Sequence, residues 1–209
     1  MLEIRDLHAW HGAAQALFGV TLTVGAEELL VLQGLNGAGK STLLQAIMGM
    51  GPRTEGVIRY QNESISALPS HQRALRGLGY VPEDRRLFTA LTVQQNLLVA
   101  ARTDVTRRLD EVLQLFPALK GMLGRSAAHM SGGEQQMLAI ARTLMIGPSL
   151  LLLDEPCEGI APVLVESIRD ALLSLKASGL SMLVAEQNGI LAERADRVIT
   201  LTAQTQLRT

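Results

Sequence analysis

The glycine-rich segment GLNGAGKST, residues 34–42, constrains the fold of this chain more than any other stretch of its sequence. It follows ELLVLQ (28–33), a continuous apolar run typical of a buried strand, and it precedes a predicted helix from Lys40 to about Met48. It matches G-x-x-x-x-G-K-[ST], in which the glycines let successive backbone N–H groups point at phosphate oxygens. A strand, a phosphate-binding loop and a helix in this order predict an α/β fold.

This loop supplies the first candidate nucleotide-binding residues. Its members are Gly34, Leu35, Asn36, Gly37, Ala38, Gly39, Lys40, Ser41 and Thr42. The Lys40 ammonium would lie near the β- and γ-phosphates, where its charge also assists catalysis, and the Ser41 hydroxyl would ligate Mg²⁺. The alternative is a glycine turn with a chance lysine, which the flanking strand and helix argue against.

The segment LLLLDEP, residues 150–156, is a second buried strand and ends in two acids. A nucleotide site of this class needs an acidic group at the end of a neighbouring strand, so we expect Asp154 to hold Mg²⁺ through water. Strand alternation turns Glu155 another way, where its carboxylate can deprotonate a water that attacks the γ-phosphate. The structural alternative is a solvated polar strand end.

Strands and helices alternate along the rest of the chain. The other predicted strands are residues 2–7, 17–24, 57–60, 77–82, 180–185 and 197–201, with the first turn at His11-Gly12. A helical period covers about 92–145, and a further helix is predicted from Pro162 to Gly179. We therefore predict one domain, 1–209, with a mainly parallel sheet in an α/β core (about 1–83 and 148–209), an N-terminal antiparallel β-region and an inserted helical subdomain (about 84–147).

Composition excludes several classes of protein. The net charge of −1 gives no sign of a nucleic-acid partner, and the single cysteine, Cys157, rules out an internal disulfide and fits a reducing compartment. The charged first ten residues are unlike a signal peptide, and no run approaches the roughly 20 apolar residues that span a bilayer.

A second glycine segment, MSGGEQQ at residues 130–136, begins an amphipathic helix. Ser131 is predicted to be its N-cap, with its hydroxyl and the first free N–H groups presented together. The residues at this helix start are Ser131, Gly132, Gly133 and Glu134. By itself the segment would be read as a capped helix start.

Taken together, the segments at 34–42, 130–136 and 150–156 resemble, in order and spacing, the motifs of the ATP-binding subunit of an ABC transporter. The resemblance covers nearly the whole chain and implies a P-loop NTPase fold, ATP and Mg²⁺ as cofactors, and head-to-tail pairing of two ATPase subunits. Each ATP would lie between the P-loop of one chain and the signature motif, residues 131–134, of the other. Ser131 and Gly133 would then bind the partner's γ-phosphate, with Gly132 and Glu134 beside them.

Three sites depart from the usual family pattern. The aromatic residue that stacks on adenine falls on His11, with Trp10 beside it; either ring could stack, and Trp10 could instead be buried in the core. The glutamine that links the core to the helical subdomain is Glu83, which could still ligate Mg²⁺ or its waters. The switch histidine is Gln187, a catalytic candidate that can donate a hydrogen bond but cannot become cationic.

These departures resemble one branch of the family, on the motifs VPEDRRLF (81–88), EGIAP (158–162) and EQN (186–188). That branch contains importers of branched-chain amino acids, with urea and short-chain amide importers as relatives. The resemblance implies a peripheral protein on the cytoplasmic face of the inner membrane, in a homo- or heterodimer. It also implies permease subunits bound near Arg85–Leu98 and a periplasmic solute-binding protein that delivers the solute.

Three functions stay open at this point. The first is a motor that hydrolyses ATP for import, which Glu155 favours. The second is a subunit that binds ATP but hydrolyses it weakly, which Gln187 and Glu83 favour. The third is an ABC ATPase not tied to a membrane. The final segment LTAQTQLRT (201–209) also lacks the glycine turn usual in the branch, a difference that we expect to concern regulation or stability rather than the ATP site.

Overall fold

A computed structural model describes residues 1–202 of the chain. The expectation about the missing glycine turn in the final segment, 201–209, concerns residues that lie outside this range from residue 203 onward. The strands are, in chain order, β1 (Leu2–His11), β2 (Ala14–Val24), β3 (Leu29–Gln33), β4 (Arg53–Tyr60), β5 (Glu63–Ser64), β6 (Leu78–Val81), β7 (Leu150–Asp154), β8 (Ser181–Glu186) and β9 (Arg197–Thr200).

The α-helices lie in the segments predicted to be helical, except one at residues 70–75 that the sequence analysis did not predict. They are α1 (Lys40–Met48), α2 (Ser70–Leu75), α3 (Val93–Ala100), α4 (Val105–Leu115), α5 (Pro117–Lys120), α6 (Gly132–Leu144) and α7 (Pro162–Ala177), with short 3₁₀ turns at Ala127–His129 and Ala192–Arg194. The helix predicted from Lys40 to Met48 has those bounds, and α7 begins at Pro162 as predicted. Among residues 1–202, no helix is long and apolar enough to cross a membrane.

The strands form two sheets. The N-terminal sheet is antiparallel, in the order β2-β1-β4-β5, and its first hairpin turns at Gly12–Ala13, one residue later than predicted. The second sheet is parallel throughout, in the order β6-β7-β8-β3-β9. The predicted α/β fold with a parallel sheet and an antiparallel N-terminal region is confirmed.

Two hydrophobic clusters fill the molecule. One lies between the two sheets and around α1, and includes Ile4, Leu30 and Leu44. The other joins the opposite face of the parallel sheet to helices α3 to α7, and includes Val31, Phe116 and Met137. The predicted boundaries of the helical subdomain stay a prediction, because α3 to α6 share this second cluster with strands of the core.

The strand order determines where functional groups meet. In the parallel sheet β3 lies beside β8, and β8 lies beside β7, so the carboxyl ends of all three strands meet at one edge. The loop after β3, the acids after β7 and the segment after β8 therefore converge. This is the edge at which open α/β sheets bind ligands.

Candidate functional site

The P-loop wraps the first turn of α1. Gly37 and Gly39 have φ angles of 82° and 99°, a region that favours glycine, and within residues 1–202 no side chain caps the helix that begins at Lys40. A Cβ at Gly39 would lie 2.8 Å from Leu17 Cδ2 and 3.0 Å from the Ala16 carbonyl oxygen, so the loop packs tightly against β2. The N-terminal N–H groups of α1 are thus available for an anion.

Lys40 turns back across this loop. Its Nζ donates hydrogen bonds to the carbonyl oxygens of Gly34 (2.7 Å) and Leu35 (3.3 Å), and it lies 3.0 Å from Oε1 of Glu155. The Lys40 and Glu155 side chains are only 5% and 7% exposed. The predicted phosphate-binding charge is therefore paired with the predicted base.

Asp154 also reaches the P-loop. The Ser41 hydroxyl donates to its Oδ1 (3.0 Å), and the Tyr80 hydroxyl donates to its Oδ2 (3.2 Å). Burial raises the pKa of the Asp154 carboxyl from 3.8 to about 6; the two hydrogen bonds oppose this rise, and the nearby carboxylates of Glu83 and Glu155 add to it. Burial, followed by the charge of Asp154, raises the pKa of Tyr80 as well.

Glu155 leaves the strand by a left-handed residue. Strand β7 ends at Asp154, and Glu155 has a φ of 45°, so strand alternation is the wrong explanation for its direction. Its Oε2 accepts a hydrogen bond from the Gln187 backbone N–H (3.1 Å). Its Oε1 is buried and, among residues 1–202, has no aligned hydrogen-bond donor, although Lys40 Nζ is close.

Two adjoining clefts lie over these groups. One, of about 250 Å³, is lined by P-loop residues together with Ala16, Glu83, Glu155 and Glu158. The other, of about 330 Å³, is lined by Ser41, Gln45, Tyr80, Pro82, Glu83, Asp84, Arg86 and Asp154. The structure therefore brings Glu83 together with both strand-end acids. A larger cavity of about 700 Å³, lined by Ser149, Ser181 and parts of α4 and α7, lies at the amino ends of β7 and β8, away from this chemistry.

The two aromatic candidates on β1 have different neighbours. His11 Nε2 lies 3.1 Å from the Thr42 hydroxyl, which places the imidazole at the P-loop. Trp10 is half-buried, stacks on His8 with ring centroids 5.9 Å apart, and has the Arg53 guanidinium 4.2 Å from its ring centroid. Within residues 1–202, His11 therefore contacts a nucleotide-binding candidate, whereas the ring contacts of Trp10 are with His8 and Arg53.

The signature residues form a capped helix start. Glu134 N–H donates to Ser131 Oγ (3.4 Å) and Ser131 N–H donates to the Glu134 carboxylate (2.7 Å), a reciprocal capping box. A Cβ on Gly133 would lie 2.4 Å from Leu164 Cδ1 and 2.9 Å from Ile160 Cγ2, so this position packs against the start of α7. None of residues 131–134 lines either cleft in the part of the chain that the structure describes.

Gln187 contacts the site by its backbone. Its side chain is exposed and does not line either cleft within residues 1–202, whereas its N–H holds Glu155. Sequence reasoning expected a side-chain contact here. It also missed Tyr80, whose hydroxyl reaches Asp154 because β6 and β7 pair in parallel with Tyr80 opposite Leu152, a register that the sequence does not reveal.

The oxygen donors at this site fit Mg²⁺. Ser41 and Asp154 offer a hydroxyl and a carboxylate 3.0 Å apart, and Glu83 lines both clefts beside them. Hard oxygen ligands are those that Mg²⁺ prefers, and it usually keeps water and phosphate oxygens in its shell. Within residues 1–202 no group of three or more His, Cys, Asp or Glu side chains is arranged to hold a metal.

Comparison with known proteins identifies the family. The family model described as "ABC transporter" matches residues 17–158. The chain belongs to the ABC transporter family. It is 42% identical over 206 residues to the high-affinity branched-chain amino acid transport ATP-binding protein BraG of Pseudomonas aeruginosa, covering 96% of this chain and 88% of BraG. The predicted resemblance to the branched-chain amino acid branch is therefore confirmed, and this ABC protein is an ATPase.

The chain is also similar to an export ATP-binding protein and to a dimeric cassette of known structure. The chain is 38% identical over 196 residues to the lipopolysaccharide export system ATP-binding protein LptB of Escherichia coli, covering 90% of this chain and 80% of LptB. Among solved structures, the dimeric structure of MJ0796, a bacterial ABC transporter cassette, superposes with a TM-score of 0.84 at 25% identity, covering 97% of this chain and 95% of that one. The likeness to BraG and LptB alike leaves the solute open.

Proposed function

We propose that this chain is the ATP-hydrolysing subunit of a membrane importer for branched-chain amino acids or related small polar solutes. The observation that carries the proposal is the 42% identity to an amino-acid transport ATP-binding protein over 96% of the chain. A second candidate function is ATP hydrolysis for lipopolysaccharide export, which the 38% identity to LptB favours. We rank it below the importer.

In this proposal residues 34–42 bind the phosphates of ATP. The Lys40 ammonium breaks its ion pair with Glu155 and neutralises charge on the β- and γ-phosphates instead. Glu155 then acts as the general base that orients and deprotonates the attacking water. Its buried Oε1 supports this role, because this atom has no aligned donor among residues 1–202 and could accept a hydrogen bond from water once Lys40 moves to the phosphates.

Ser41 and Asp154, with Glu83 beside them, would hold Mg²⁺. When bound, the ion supplies positive charge to the β- and γ-phosphate oxygens. The hydrogen bond from Ser41 to Asp154 keeps both ligands at the P-loop before nucleotide arrives.

The second phosphate cradle would come from another ATPase subunit. Residues 131–134 line neither cleft of their own chain within residues 1–202, so we propose that Ser131 and Gly133 bind ATP held by a partner, with Gly132 and Glu134 shaping the helix start. The dimeric cassette that shares this fold supports pairing. His11 rather than Trp10 is the better candidate for adenine stacking, since it lies beside Thr42.

The permease would bind near Arg85–Leu98, on a helical subdomain spanning about 84–147. Phe88 and Leu98 are 52% and 41% exposed there, apolar side chains that a membrane partner could cover. In this arrangement the chain lies on the cytoplasmic face of the inner membrane, and a periplasmic protein delivers the solute to the permease.

The weakly hydrolysing alternative makes a different kinetic prediction. Gln187 and Glu83 replace residues that usually assist the γ-phosphate, but the Gln187 N–H still holds Glu155. We favour the motor, because the contact with the base comes from the backbone and does not require a histidine.

Steady-state hydrolysis of MgATP by the purified chain tests the motor, with Glu155→Gln as the control. Turnover that disappears in the substituted chain supports it, and ATP binding without turnover in either chain supports the alternative. Uptake of labelled leucine, isoleucine and valine by host cells with the gene deleted, then restored as wild type or Glu155→Gln, tests the solute. Normal uptake after deletion, with impaired lipopolysaccharide export, would favour the second candidate.

A further inference from the structure

Glu186, at the end of β8, is a buried carboxylate with no role in the chemistry described so far. It is 3% exposed and directly precedes Gln187. Burial raises its pKa, an effect that hydrogen bonds from the backbone at Leu191 and Ala192 oppose. Burial of a carboxylate costs free energy unless its oxygens accept hydrogen bonds. The groups that donate to Glu186 therefore indicate which part of the structure it holds.

Those partners close a short loop. Glu186 Oε1 accepts from the N–H groups of Leu191 (3.1 Å) and Ala192 (3.2 Å), and Oε2 also accepts from Leu191 (3.3 Å). The chain turns back between them at Gly189, which has a φ of 68° and accepts the Ala192 N–H on its carbonyl oxygen (3.2 Å). The Glu186 carboxylate thus links the two ends of the segment 187–191 by hydrogen bonds. Leu191, at the second end, is buried in the core.

The loop held in this way carries the donor that orients Glu155. Within residues 1–202 the Glu155 carboxylate has two polar contacts, with Lys40 Nζ on Oε1 (3.0 Å) and with the Gln187 N–H on Oε2 (3.1 Å). Nucleotide phosphates would draw Lys40 away, since they carry more charge than one carboxylate. The Gln187 N–H would then be the contact left to fix the base, and its position depends on the loop.

We infer that Glu186 is a positioning residue for hydrolysis: it holds the 187–191 loop so that the Gln187 N–H keeps the Glu155 carboxylate aimed at the attacking water. This inference rests on the proposed role of Glu155 as the base. It gives the first residue of the EQN segment a function that does not require the side chain of Gln187.

Substitution of Glu186 by near-isosteric residues tests the inference in the full-length chain. Glu186→Met removes the acceptor, and we expect kcat to fall by about tenfold or more while the KM for MgATP stays within about threefold, because misplacing a base affects the chemical step. Glu186→Gln retains a carbonyl oxygen for the two N–H groups and should keep at least about half of the wild-type kcat. If Glu186→Met does not fold, Glu186→Asp, which keeps the charge but shortens its reach, should lower kcat by about threefold or more.

Asp196→Leu is the matched control. Asp196 is also a carboxylate that accepts a backbone N–H, from Leu29 (2.8 Å), but its other contact, with Lys176, is unrelated to Glu155. This variant should lose stability and keep kcat per folded molecule. The inference is overturned if Glu186→Met, or Glu186→Asp in its place, keeps wild-type kcat, if Glu186→Gln falls as far as Glu186→Met, or if Asp196→Leu lowers kcat equally. Turnover that persists in Glu155→Gln would instead overturn the proposed base, which separates the two failures.

Discussion

Lys40 and Glu155 form a buried ion pair, with Nζ and Oε1 3.0 Å apart, across the space that the phosphates of a nucleotide would enter. The pair satisfies two charges that burial would otherwise penalise. It also means that Lys40 must leave its carboxylate before it can bind a phosphate. Nucleotide affinity should therefore depend on a residue whose proposed role is purely catalytic.

Replacing Glu155 by glutamine should strengthen nucleotide binding. Lys40 no longer has a carboxylate to leave, and one negative charge beside the polyphosphate disappears, so we expect about a tenfold lower Kd, equivalent to about 1.4 kcal/mol. Calorimetric titration with a non-hydrolysable ATP analogue measures it. Glu158→Gln is the control, because Glu158 is an exposed acid lining the same cleft. Equal gains in both variants would show that charge alone, and not release of Lys40, sets the affinity.

Because its pKa is raised, Asp154 should stabilise the fold less as pH rises, whereas an aspartate with a lowered pKa does the opposite. Between pH 3.8 and about 6 the folded chain holds this proton more tightly than the unfolded chain does, so the contribution of Asp154 to stability falls as pH rises through that window. Across the whole window, the contribution of Asp154 to the free energy of unfolding falls by about 3 kcal/mol. Asp154→Asn should therefore be more stable than wild type at pH 7.5, with a smaller difference at pH 5, in denaturant unfolding without nucleotide.

Asp196→Asn should behave in the opposite way. Hydrogen bonds from Lys176 and the Leu29 N–H lower the pKa of Asp196, so its ionised form stabilises the fold above pH 3.8 and this contribution is lost in acid. The variant should be less stable than wild type at pH 7.5, with a smaller deficit in acid. A loss of stability in Asp154→Asn at pH 7.5 would contradict the raised pKa of Asp154, and a gain in Asp196→Asn would contradict the lowered pKa of Asp196.

Neighbouring glycines of the signature motif should tolerate alanine very differently. At Gly133 the new Cβ would lie 2.4 Å from Leu164 Cδ1 and 3.0 Å from Leu164 Cβ, so α7 must shift, and overpacking of this kind costs about 1–3 kcal/mol. At Gly132 the nearest atoms are guanidinium nitrogens of Arg85 at 3.6 Å, an ordinary contact. Thermal unfolding should show a clear loss for Gly133→Ala and little change for Gly132→Ala; similar losses would contradict this packing account.

Local sequence patterns were sufficient to predict the helices and the strand that surround the site. The bounds of α1 follow from a buried strand, a glycine loop and a good helix former at Lys40, and Ser131 has the cap chemistry that its sequence predicted. Asp154 was found because it ends a continuous apolar strand. Each of these depends on residues adjacent in the chain, so no knowledge of the strand order was needed.

Contacts that cross the sheet could not be predicted in this way. The Gln187 N–H meets Glu155 only because β8 lies beside β7, and Tyr80 meets Asp154 only because β6 pairs with β7 in a particular register. The left-handed conformation of Glu155 is equally hidden, since a glutamate gives no local signal for a φ of 45°. These long-range contacts fix where the carboxylates point, so the sequence indicated which residues matter but not how they are held.

Arg142 should prove essential for the loop that carries Glu83. Arg85 and Arg86 both have positive φ angles, 61° and 47°, which cost about 1–2 kcal/mol per residue outside glycine. The Arg142 guanidinium, from α6, donates to their carbonyl oxygens at 3.1 and 2.8 Å. Hydrogen bonds from a charged group contribute about 1.5–3 kcal/mol, enough to hold such a loop.

Arg142→Met keeps most of the side-chain volume and removes these donors, so the strained loop should relax away from α6. We expect trypsin to cleave after Arg85 or Arg86 several-fold faster, at a temperature where the rest of the chain stays folded, with fragments identified by mass spectrometry. Arg169→Met is the control, since the Arg169 guanidinium contacts only the exposed neighbour Asp170 among residues 1–202. Unchanged cleavage in Arg142→Met would mean that other contacts, such as Asn96 with Phe88, suffice to hold the loop.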